Sequence, residues 1–294
     1  RECHSVERGQ SGVRVYPNDF VTAMRQLLFP CETRIGYHLF FWVTWGIGGP
    51  SELGWTFKCG RIMHRGVIVV CRMNSSRLPG KTMATIEGRP LLWYVCSRLL
   101  VNDEFRDSLC VATSQEWFDE PIAQFCRQQG IPCFRGDSKD VAGRIIACAE
   151  SCGWDSFARV NGDSPFVDAS LLQQAFEALS DGNCDFVTNL APRTYPYGVA
   201  IEVMRTPWYR DWMLNRLDDA DREHVTRSIY RNLESVRYRN LPRLDGDLSD
   251  WSLTIDTAKH LEWFRELFRE PSSDWDQMDY ASVIAQRQPY RRVG

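Results

Sequence analysis

Segments with a strand-like apolar pattern alternate with segments of helical periodicity along most of the chain, starting near residue 66. Residues 66–71 (GVIVVC) form a short β-branched run typical of a buried parallel strand, and residues 90–101 follow with a helical pattern opened by proline. Further strands are predicted at 109–113, 131–135, 156–160, 185–188, 199–204 and 252–255. Further helices are predicted at 116–129, 140–152, 168–180, 207–217, 223–232, 257–268 and 278–286. This β-α-β order predicts a mostly parallel sheet flanked by helices on both faces.

Residues 1–62 differ from the rest because they show no sustained helical or strand period. They carry scattered tryptophan, glycine and cysteine instead. We interpret them as an N-terminal extension. It is either a leader upstream of a natural start at Met63 or a small, poorly ordered appendage, and the pattern favours the leader. Residues 63–294 then form one α/β domain.

The composition is that of a globular protein with a sizeable core. The 294 residues are 44% hydrophobic and 25% charged, and the formal net charge of -3 argues against a surface that coats nucleic acid. The longest apolar run, residues 39–47, is much shorter than the roughly 20 residues needed to cross a bilayer. We therefore expect a cytoplasmic protein with neither nucleic acid nor membrane as a partner.

The 11 cysteines are odd in number and include no C-x-x-C pair. Most lie in apolar runs, which predicts buried, reduced thiols rather than disulfides or a zinc site. Cys148 and Cys152 are spaced to share a helix face, but the sequence shows no second pair of ligands beside them.

A basic loop, residues 71–81 (CRMNSSRLPGK), follows the first predicted strand and is the most informative segment. Its position places it at the carboxyl end of a parallel sheet, where open α/β folds bind ligands. Three cations, two serines and a glycine make it suited to a triphosphate: Arg72, Arg77, Lys81, Ser75, Ser76 and Gly80. A solvated basic turn is the alternative on composition alone. The Walker pattern G-x-x-x-x-G-K-[ST] is absent.

Two aspartates end later strands at the same predicted edge of the sheet. Asp163 lies in Gly-Asp-Ser-Pro after residues 156–160, and Asp256 follows residues 252–255. Carboxylates together with substrate phosphates are the usual ligands of Mg²⁺. Taken alone, however, the first motif is an ordinary turn, and Asp256 could simply cap the next helix.

The run R-M-N-S-S-R-L-P-G-K (residues 72–81) resembles the signature of cytidylyltransferases that activate acidic sugars, among them the 3-deoxy-manno-octulosonate and acylneuraminate enzymes. It is most similar to the spore coat polysaccharide biosynthesis protein F family. The resemblance spans about residues 66–270 and implies a nucleotide-diphospho-sugar transferase fold, of the glycosyltransferase-A-like kind. The chain departs from the family at Cys71, where alanine is usual, and at His260, where an acidic residue is usual.

The resemblance also implies roles for individual residues. Arg72, Arg77 and Lys81 would act on the phosphates of CTP, with Ser75, Ser76 and Gly80 completing the loop, while Ala112 and Thr113 would lie near the nucleotide and Asp163 and Asp256 would bind Mg²⁺.

Three further matches leave their roles open. Arg144 could approach the nucleotide, although a pairing with a nearby carboxylate is favoured. Residues 222–226 (REHVT) could bind the acceptor, form a dimer contact or simply start a helix. Tyr195 and Tyr197, which precede Glu202, could face the sugar acceptor or serve in packing.

Together these features predict a Mg²⁺-dependent transferase for polysaccharide or glycan biosynthesis, with residues 63–294 as the nucleotidyltransferase domain. It would transfer CMP from CTP to an acidic or modified sugar and release pyrophosphate; a homodimer is expected. A glycosyltransferase that uses a nucleotide sugar ranks second, because the D-x-D strings at residues 245–247 and 274–276 lie in poor contexts. A non-catalytic nucleotide- or sugar-binding protein ranks third. Lys81→Ala and Asp163→Ala are each expected to abolish turnover without unfolding the chain.

Overall fold

The structure, a computed structural model, describes the backbone of residues 39–45 and 55–61, and residues 64–216, 218–269 and 278–291. The chain divides into two compact units, Arg1–Met63 and His64–Gly294. In the first unit, β1 (Leu39–Trp45) and β2 (Trp55–Arg61) pair as an antiparallel hairpin. The sequence pattern did not predict these strands. The rest of the expectation for residues 1–62 lies outside the described residues.

The second unit alternates strands and helices. Its strands are β3 (Arg65–Val70), β4 (Thr85–Ile86), β5 (Arg89–Pro90), β6 (Leu109–Ser114), β7 (Cys133–Gly136), β8 (Ser156–Asn161), β9 (Phe186–Thr188), β10 (Glu202–Arg205), β11 (Tyr238–Asn240), β12 (Trp251–Ser252) and β13 (Tyr290–Arg291). Its helices are α1 (Leu91–Leu100), α2 (Glu120–Gln129), α3 (Val141–Ser151), α4 (Ala169–Ser180), α5 (Thr206–Arg216), α6 (Asp219–Glu223), α7 (Arg227–Arg231), α8 (Ala258–Phe268) and α9 (Tyr280–Arg287).

Seven strands form the central sheet in the order β11-β9-β10-β8-β3-β6-β7. β3 pairs in parallel with β6 and β8, β6 with β7, and β11 with β9, whereas β10 runs antiparallel to both of its neighbours. β4–β5 and β12–β13 form two small antiparallel sheets. The mostly parallel sheet predicted from the sequence is confirmed, and β3 lies near its middle with its carboxyl end leading into the basic loop.

Packing on both faces of the sheet follows from the alternation of side chains along each strand. Val67 and Val69 of β3 point into one buried cluster with Phe166 and Phe264, while Ile68 points into the other with Phe157 and Tyr209. Each fully buried apolar side chain contributes roughly 1.5–3 kcal/mol to folding. The strands that carry the site are thus packed on both faces.

The observed elements differ from the predicted ones in three informative places. β11 was not predicted, because Tyr-Arg-Asn has no apolar alternation; it forms by pairing along Phe186–Thr188 at the edge of the sheet. The predicted strand 252–255 is reduced to β12. The predicted helix 223–232 is interrupted at Val225, whose φ of 35° lies in the left-handed region, so two short helices replace it.

The eight cysteines of residues 64–216 are all free thiols, and most are buried. Among the same residues, no helix is long and apolar enough to cross a membrane.

Candidate active site

The basic loop closes on itself directly after β3. The backbone oxygen of Met73 accepts hydrogen bonds from the N–H groups of Ser75 (3.0 Å) and Gly80 (2.8 Å). Gly80 adopts a φ of 77°, a conformation that glycine adopts without the steric cost of a side chain. The chain then enters a short 3-10 helix, Lys81–Met83, whose first two residues are buried. The loop is therefore a turn ordered by its own backbone hydrogen bonds.

Lys81 lies at the centre of the site with its side chain only 9% exposed. Its Nζ donates to Asp163 Oδ2 at 2.6 Å, to Asp256 Oδ1 at 2.9 Å and to the backbone oxygen of Ile255 at 2.9 Å. An ammonium group has three N–H donors, and here each has an acceptor. One cation thus joins the basic loop to both of the carboxylates that the sequence singled out.

The two carboxylates are brought together by the backbone. Asp163 follows β8, the parallel neighbour of β3, and its backbone oxygen accepts a hydrogen bond from the N–H of Ile255 at 3.1 Å. That bond places Asp256, the next residue, beside Asp163. Gly162 permits the approach to the basic loop, since a Cβ there would lie 2.6 Å from the Cβ of Cys71. Cys71 and the alanine that is usual in the family both carry a Cβ, so this close approach is the same with either residue.

Asp256 is an electrostatic partner in the site and not a helix cap. Burial raises the pKa of its carboxyl, but the hydrogen bond and charge of Lys81, together with the charge of Arg77, outweigh burial and lower the pKa overall. Arg77 Nη2 lies 2.9 Å from Asp256 Oδ1. The cap of α8 is Thr257, whose side chain accepts from the N–H of His260. The interpretation of Asp256 as the N-cap is therefore wrong, because the helix starts one residue later.

His260 occupies the position where relatives usually carry an acidic residue. The N–H of Asp256 donates to its Nδ1 at 3.3 Å, and burial is the main cause that lowers its pKa. A neutral imidazole can accept this bond, whereas a protonated one cannot. His260 thus supports the backbone of Asp256.

Arg72 faces a different partner from the other two cations. Its Nη2 donates to Glu223 Oε1 at 2.6 Å, and its backbone oxygen accepts from the hydroxyl of Thr82 at 3.1 Å. Glu223 belongs to the REHVT segment, so this segment contacts the basic loop. The hydrogen bond and charge of Arg72 lower the pKa of Glu223. Because both side chains remain partly exposed, the pair can exchange with a ligand.

Asp119 is a supporting residue that the sequence did not reveal. It is fully buried, and its carboxylate accepts from the backbone N–H of Met73 (2.7 Å) and Ser114 (3.1 Å), from the Thr113 hydroxyl (3.0 Å) and from the Ser114 hydroxyl. It joins the basic loop to the end of β6. Asp119 immediately precedes helix α2, a position typical of an N-cap, so the sequence suggests a capping role instead. In the structure its side chain makes no capping hydrogen bond.

The remaining residues of the predicted loop site fall into two groups. Ala112 and Thr113 are fully buried in β6, and Thr113 uses its hydroxyl for Asp119, so they support the loop instead of presenting side chains to a ligand. Ser76 is exposed, while the hydroxyl of Ser75 accepts a long hydrogen bond (3.5 Å) from the N–H of Leu78.

Arg144 is buried, at 2% exposure, and donates to the backbone oxygen of Asp137. No ion pair involves Arg144 within the described part of the chain, so the favoured pairing with a carboxylate is wrong; burial lowers its pKa. The N–H of Gly143 and Arg222 both bond the neighbouring Asp140 instead.

The predicted acceptor region contains a buried ionic network beside the site. Glu202 is 2% exposed, pairs with Arg159 of β8 and accepts from the Tyr230 hydroxyl at 2.9 Å. Tyr195 packs in the core at 8% exposure, whereas the ring of Tyr197 lies 3.8 Å from the Arg193 guanidinium carbon. Of the two tyrosines, Tyr195 is therefore a packing residue.

The assembled cluster has the charges of a phosphate and cation site. Lys81 and Arg77 balance Asp163 and Asp256, and each carboxylate keeps a second oxygen that is bound only weakly: Asp163 Oδ1 accepts from Ser164 at 3.3 Å and Asp256 Oδ2 from Thr254 at 3.3 Å. Hard oxygen donors of this kind suit a divalent cation such as Mg²⁺.

Comparison with known proteins gives results consistent with this geometry. Residues 66–270 match a family described as cytidylyltransferase. The spore coat polysaccharide biosynthesis protein SpsF of Bacillus subtilis is 30% identical over 209 residues, which cover 69% of this chain and 85% of that protein. A 3-deoxy-manno-octulosonate cytidylyltransferase of Acinetobacter baumannii is 35% identical over 207 residues, covering 68% and 71% of the two chains.

Solved structures show the same fold. A cytidylyltransferase from Leptospira borgpetersenii superposes with a TM-score of 0.71 and 26% identity, covering 76% of this chain and 93% of that one. A CMP:2-keto-3-deoxy-manno-octonic acid synthetase complexed with CTP has a TM-score of 0.53 and 16% identity, covering 70% and 98%, and supports the fold alone. On the sequence match and on this likeness, the predicted nucleotide-diphospho-sugar transferase fold is confirmed, and the chain belongs to the cytidylyltransferase family.

Proposed function

We propose that this cytidylyltransferase transfers CMP from CTP to an acidic or modified sugar for surface polysaccharide or glycan synthesis. One observation carries the proposal: the loop lysine, Lys81, lies in direct contact with both Asp163 and Asp256 at the carboxyl edge of the parallel sheet. In that geometry cationic groups for a triphosphate and carboxylates for a divalent ion share one site. The named relatives supply the chemical class of the nucleotide and of the acceptor.

We propose Mg²⁺ as the metal and Asp163 and Asp256 as the residues that would hold it. Their weakly bound second oxygens support this assignment, because Mg²⁺ binds one or two carboxylates and completes its shell with water and substrate phosphates. When bound, the ion supplies positive charge that orients the triphosphate and stabilises charge at the reacting phosphorus.

The reaction exchanges one phosphorus–oxygen bond for another. A hydroxyl oxygen of the sugar attacks the α-phosphorus of CTP, the bond from that phosphorus to the α–β bridging oxygen breaks and pyrophosphate leaves with its electron pair, and the hydroxyl proton passes to solvent. No side chain at the site is assigned as the base that takes the proton. Catalysis in this scheme depends on positioning and on electrostatic stabilisation of the leaving group.

The three cations contribute in different ways. The Arg77 side chain is 66% exposed, so its guanidinium can exchange Asp256 for a phosphate at little cost. Arg72 can do the same by leaving Glu223. Lys81 is buried and its donors are all engaged, so it binds a phosphate oxygen only by giving up one present acceptor while it keeps the carboxylates oriented.

The test is pyrophosphate release, measured with each of the four common nucleoside triphosphates against a panel of sugar acids that includes 3-deoxy-manno-octulosonate. We expect release with CTP that requires both an acceptor and Mg²⁺, and a CMP-sugar among the products. Transfer or hydrolysis of a nucleotide sugar would instead identify a glycosyltransferase. Binding of CTP without turnover on any acceptor would identify a non-catalytic binding protein.

Three expectations from the sequence accompany the proposal. We infer that residues 63–294 suffice for catalysis, that the enzyme works in the cytoplasm where CTP is made, and that it forms a homodimer. Light scattering on the purified chain tests the last of these through its mass in solution.

A further inference from the structure

Three cysteines converge at the side of the sheet covered by α3. Cys110 lies on β6, and Cys148 and Cys152 lie one helical turn apart at the end of α3. The three sulfur atoms all lie within 4.8 Å of one another. The sequence shows only that Cys148 and Cys152 share one helix face. The packing of α3 on β6 adds Cys110 as a third thiol.

This cluster is separate from the candidate active site. The active-site residues gather where β3, β6 and β8 end, whereas α3 begins near that edge, with its cap Asp140 bonded to Arg222, and runs away from it. Cys152 caps the far end of α3, and three residues later Asp155 accepts a backbone hydrogen bond at the start of β3. The thiols thus lie toward the opposite edge of the sheet from Lys81.

The spacing is close to that of a thiolate metal site. A Zn–S bond is about 2.3 Å, so three thiolates on one tetrahedral or trigonal ion have sulfurs about 3.8–4.0 Å apart. The observed limit of 4.8 Å requires a contraction of about 1 Å or less, within reach of χ1 rotation in cysteine. No other group of three potential ligands lies this close among the described residues.

Burial and polarity also suit an ion. Cys110 and Cys148 are 3% and 0% exposed, while Cys152 is exposed, so an ion has a path from solvent and a position open to water. The contacts with Cys110 and Cys148 lower the pKa of Cys152, whereas the contact with Cys110 raises the pKa of Cys148, so an ion would meet one thiolate and displace the remaining thiol protons as it binds. Cys126 and Cys133 also interact with each other, but they offer only two ligands.

We propose that Cys110, Cys148 and Cys152 bind one thiophilic d¹⁰ cation, Zn²⁺ or Cu⁺, with solvent at any remaining position. The ion would join α3 to β6 and so stabilise the layer that carries Asp140 and the REHVT contact. Binding releases the thiol protons to solvent and involves no change of oxidation state.

The test uses the reduced full-length chain titrated with Cd²⁺ under anaerobic conditions. Sulfur-to-cadmium charge-transfer absorption in the ultraviolet should rise to a break at one equivalent, with an intensity appropriate to three thiolates. Competition with Zn²⁺ and with Cu⁺ then shows which of the two ions displaces cadmium at the lower concentration.

Cys152→Ser is the decisive variant because its side chain is exposed and the fold should tolerate it. We expect it to lose at least tenfold in cadmium affinity, while Cys184→Ser, a buried single thiol elsewhere, binds as the wild type does. Cysteines in residues 1–62 are common to all three proteins and cancel in the comparison. A wild type without the one-equivalent break, or a Cys152→Ser chain that keeps it, would overturn the proposal.

Discussion

At the residue scale, Lys81 illustrates how one buried side chain can hold several segments together. Its ammonium bonds a carboxylate after β8, a carboxylate before α8 and a backbone oxygen. Removing one partner from such a buried cluster leaves like charges facing each other, which costs more than the loss of an exposed ion pair. We therefore add a loss of stability to the expectation that Lys81→Ala abolishes turnover without unfolding the chain.

We predict that Lys81→Ala lowers kcat/KM for CTP on the order of 10²–10³-fold, the scale seen when one preorganised donor is removed. It should also reduce the free energy of unfolding by about 1–3 kcal/mol, less than for a fully buried pair, because the carboxylates are partly exposed. Steady-state kinetics and urea unfolding measure the two effects. Lys139→Ala, an exposed lysine, is the control and should change neither. Wild-type activity in Lys81→Ala would remove the assigned role.

The carboxyl of Asp256 makes stability depend on pH. Its folded-state pKa is lowered overall, so its stabilisation is present above the unfolded value, about 3.9, and is lost as the pH falls through the folded value. We predict that the free energy of unfolding of Asp256→Asn falls less steeply than that of the wild type below about pH 4. Urea unfolding over a pH series measures the slopes. Asp107→Asn, at an exposed position, should follow the wild type; identical slopes in all three proteins would contradict the assignment.

At the element scale, the basic loop owes its shape to the end of β6. Asp119 accepts four hydrogen bonds and links Met73 in the loop to Thr113 and Ser114. A buried carboxylate with this many donors is satisfied, and each donor would lose its partner if the carboxylate were removed. The loop geometry thus depends on a side chain outside the loop.

We predict that Asp119→Ala destabilises the fold by about 1–3 kcal/mol and raises the KM for CTP several-fold, because buried donors lose their acceptor and the loop loses its anchor. Urea unfolding and initial rates at varied CTP concentration test this. The exposed Asp211→Ala on α5 is a matched control. A stability loss without any change in KM would show that Asp119 acts on the fold alone.

The contact between α6 and the loop leads to a second prediction at this scale. Glu223 binds the guanidinium of Arg72, a cation that the proposed triphosphate site requires. An exposed ion pair of this kind contributes up to about 1 kcal/mol. Glu223→Gln should therefore tighten CTP binding by up to about five-fold in isothermal titration, and Glu234→Gln, which is exposed elsewhere, should not. Weaker binding would instead indicate that Glu223 positions Arg72 productively.

At the scale of the whole molecule, the candidate site and both buried clusters lie within His64–Gly294. We predict that a chain starting at Met63 unfolds in a single cooperative transition and keeps its KM for CTP within about two-fold. Thermal unfolding and kinetics compared with the full chain test this. A truncated chain that aggregates or loses CTP binding would show that residues 1–62 contribute to the enzyme.

The sequence by itself determined the local structure and the chemical types at the site. A continuous β-branched run predicted β3, because a parallel strand buried on both faces is apolar throughout, and helical periodicity predicted α1 and most later helices, because each buries one face. The cation-rich loop and the strand-ending Asp163 and Asp256 were likewise visible, because residue type and position after a strand are local properties.

Only the tertiary structure decided which distant side chains meet. Lys81 bonds residues 82 and 175 positions away along the chain, Asp119 anchors a loop 46 residues before it, and Cys110 joins two cysteines of α3. The physical reason is that such contacts depend on strand order and on how helices pack across the sheet, and neither is encoded in the period of any single segment.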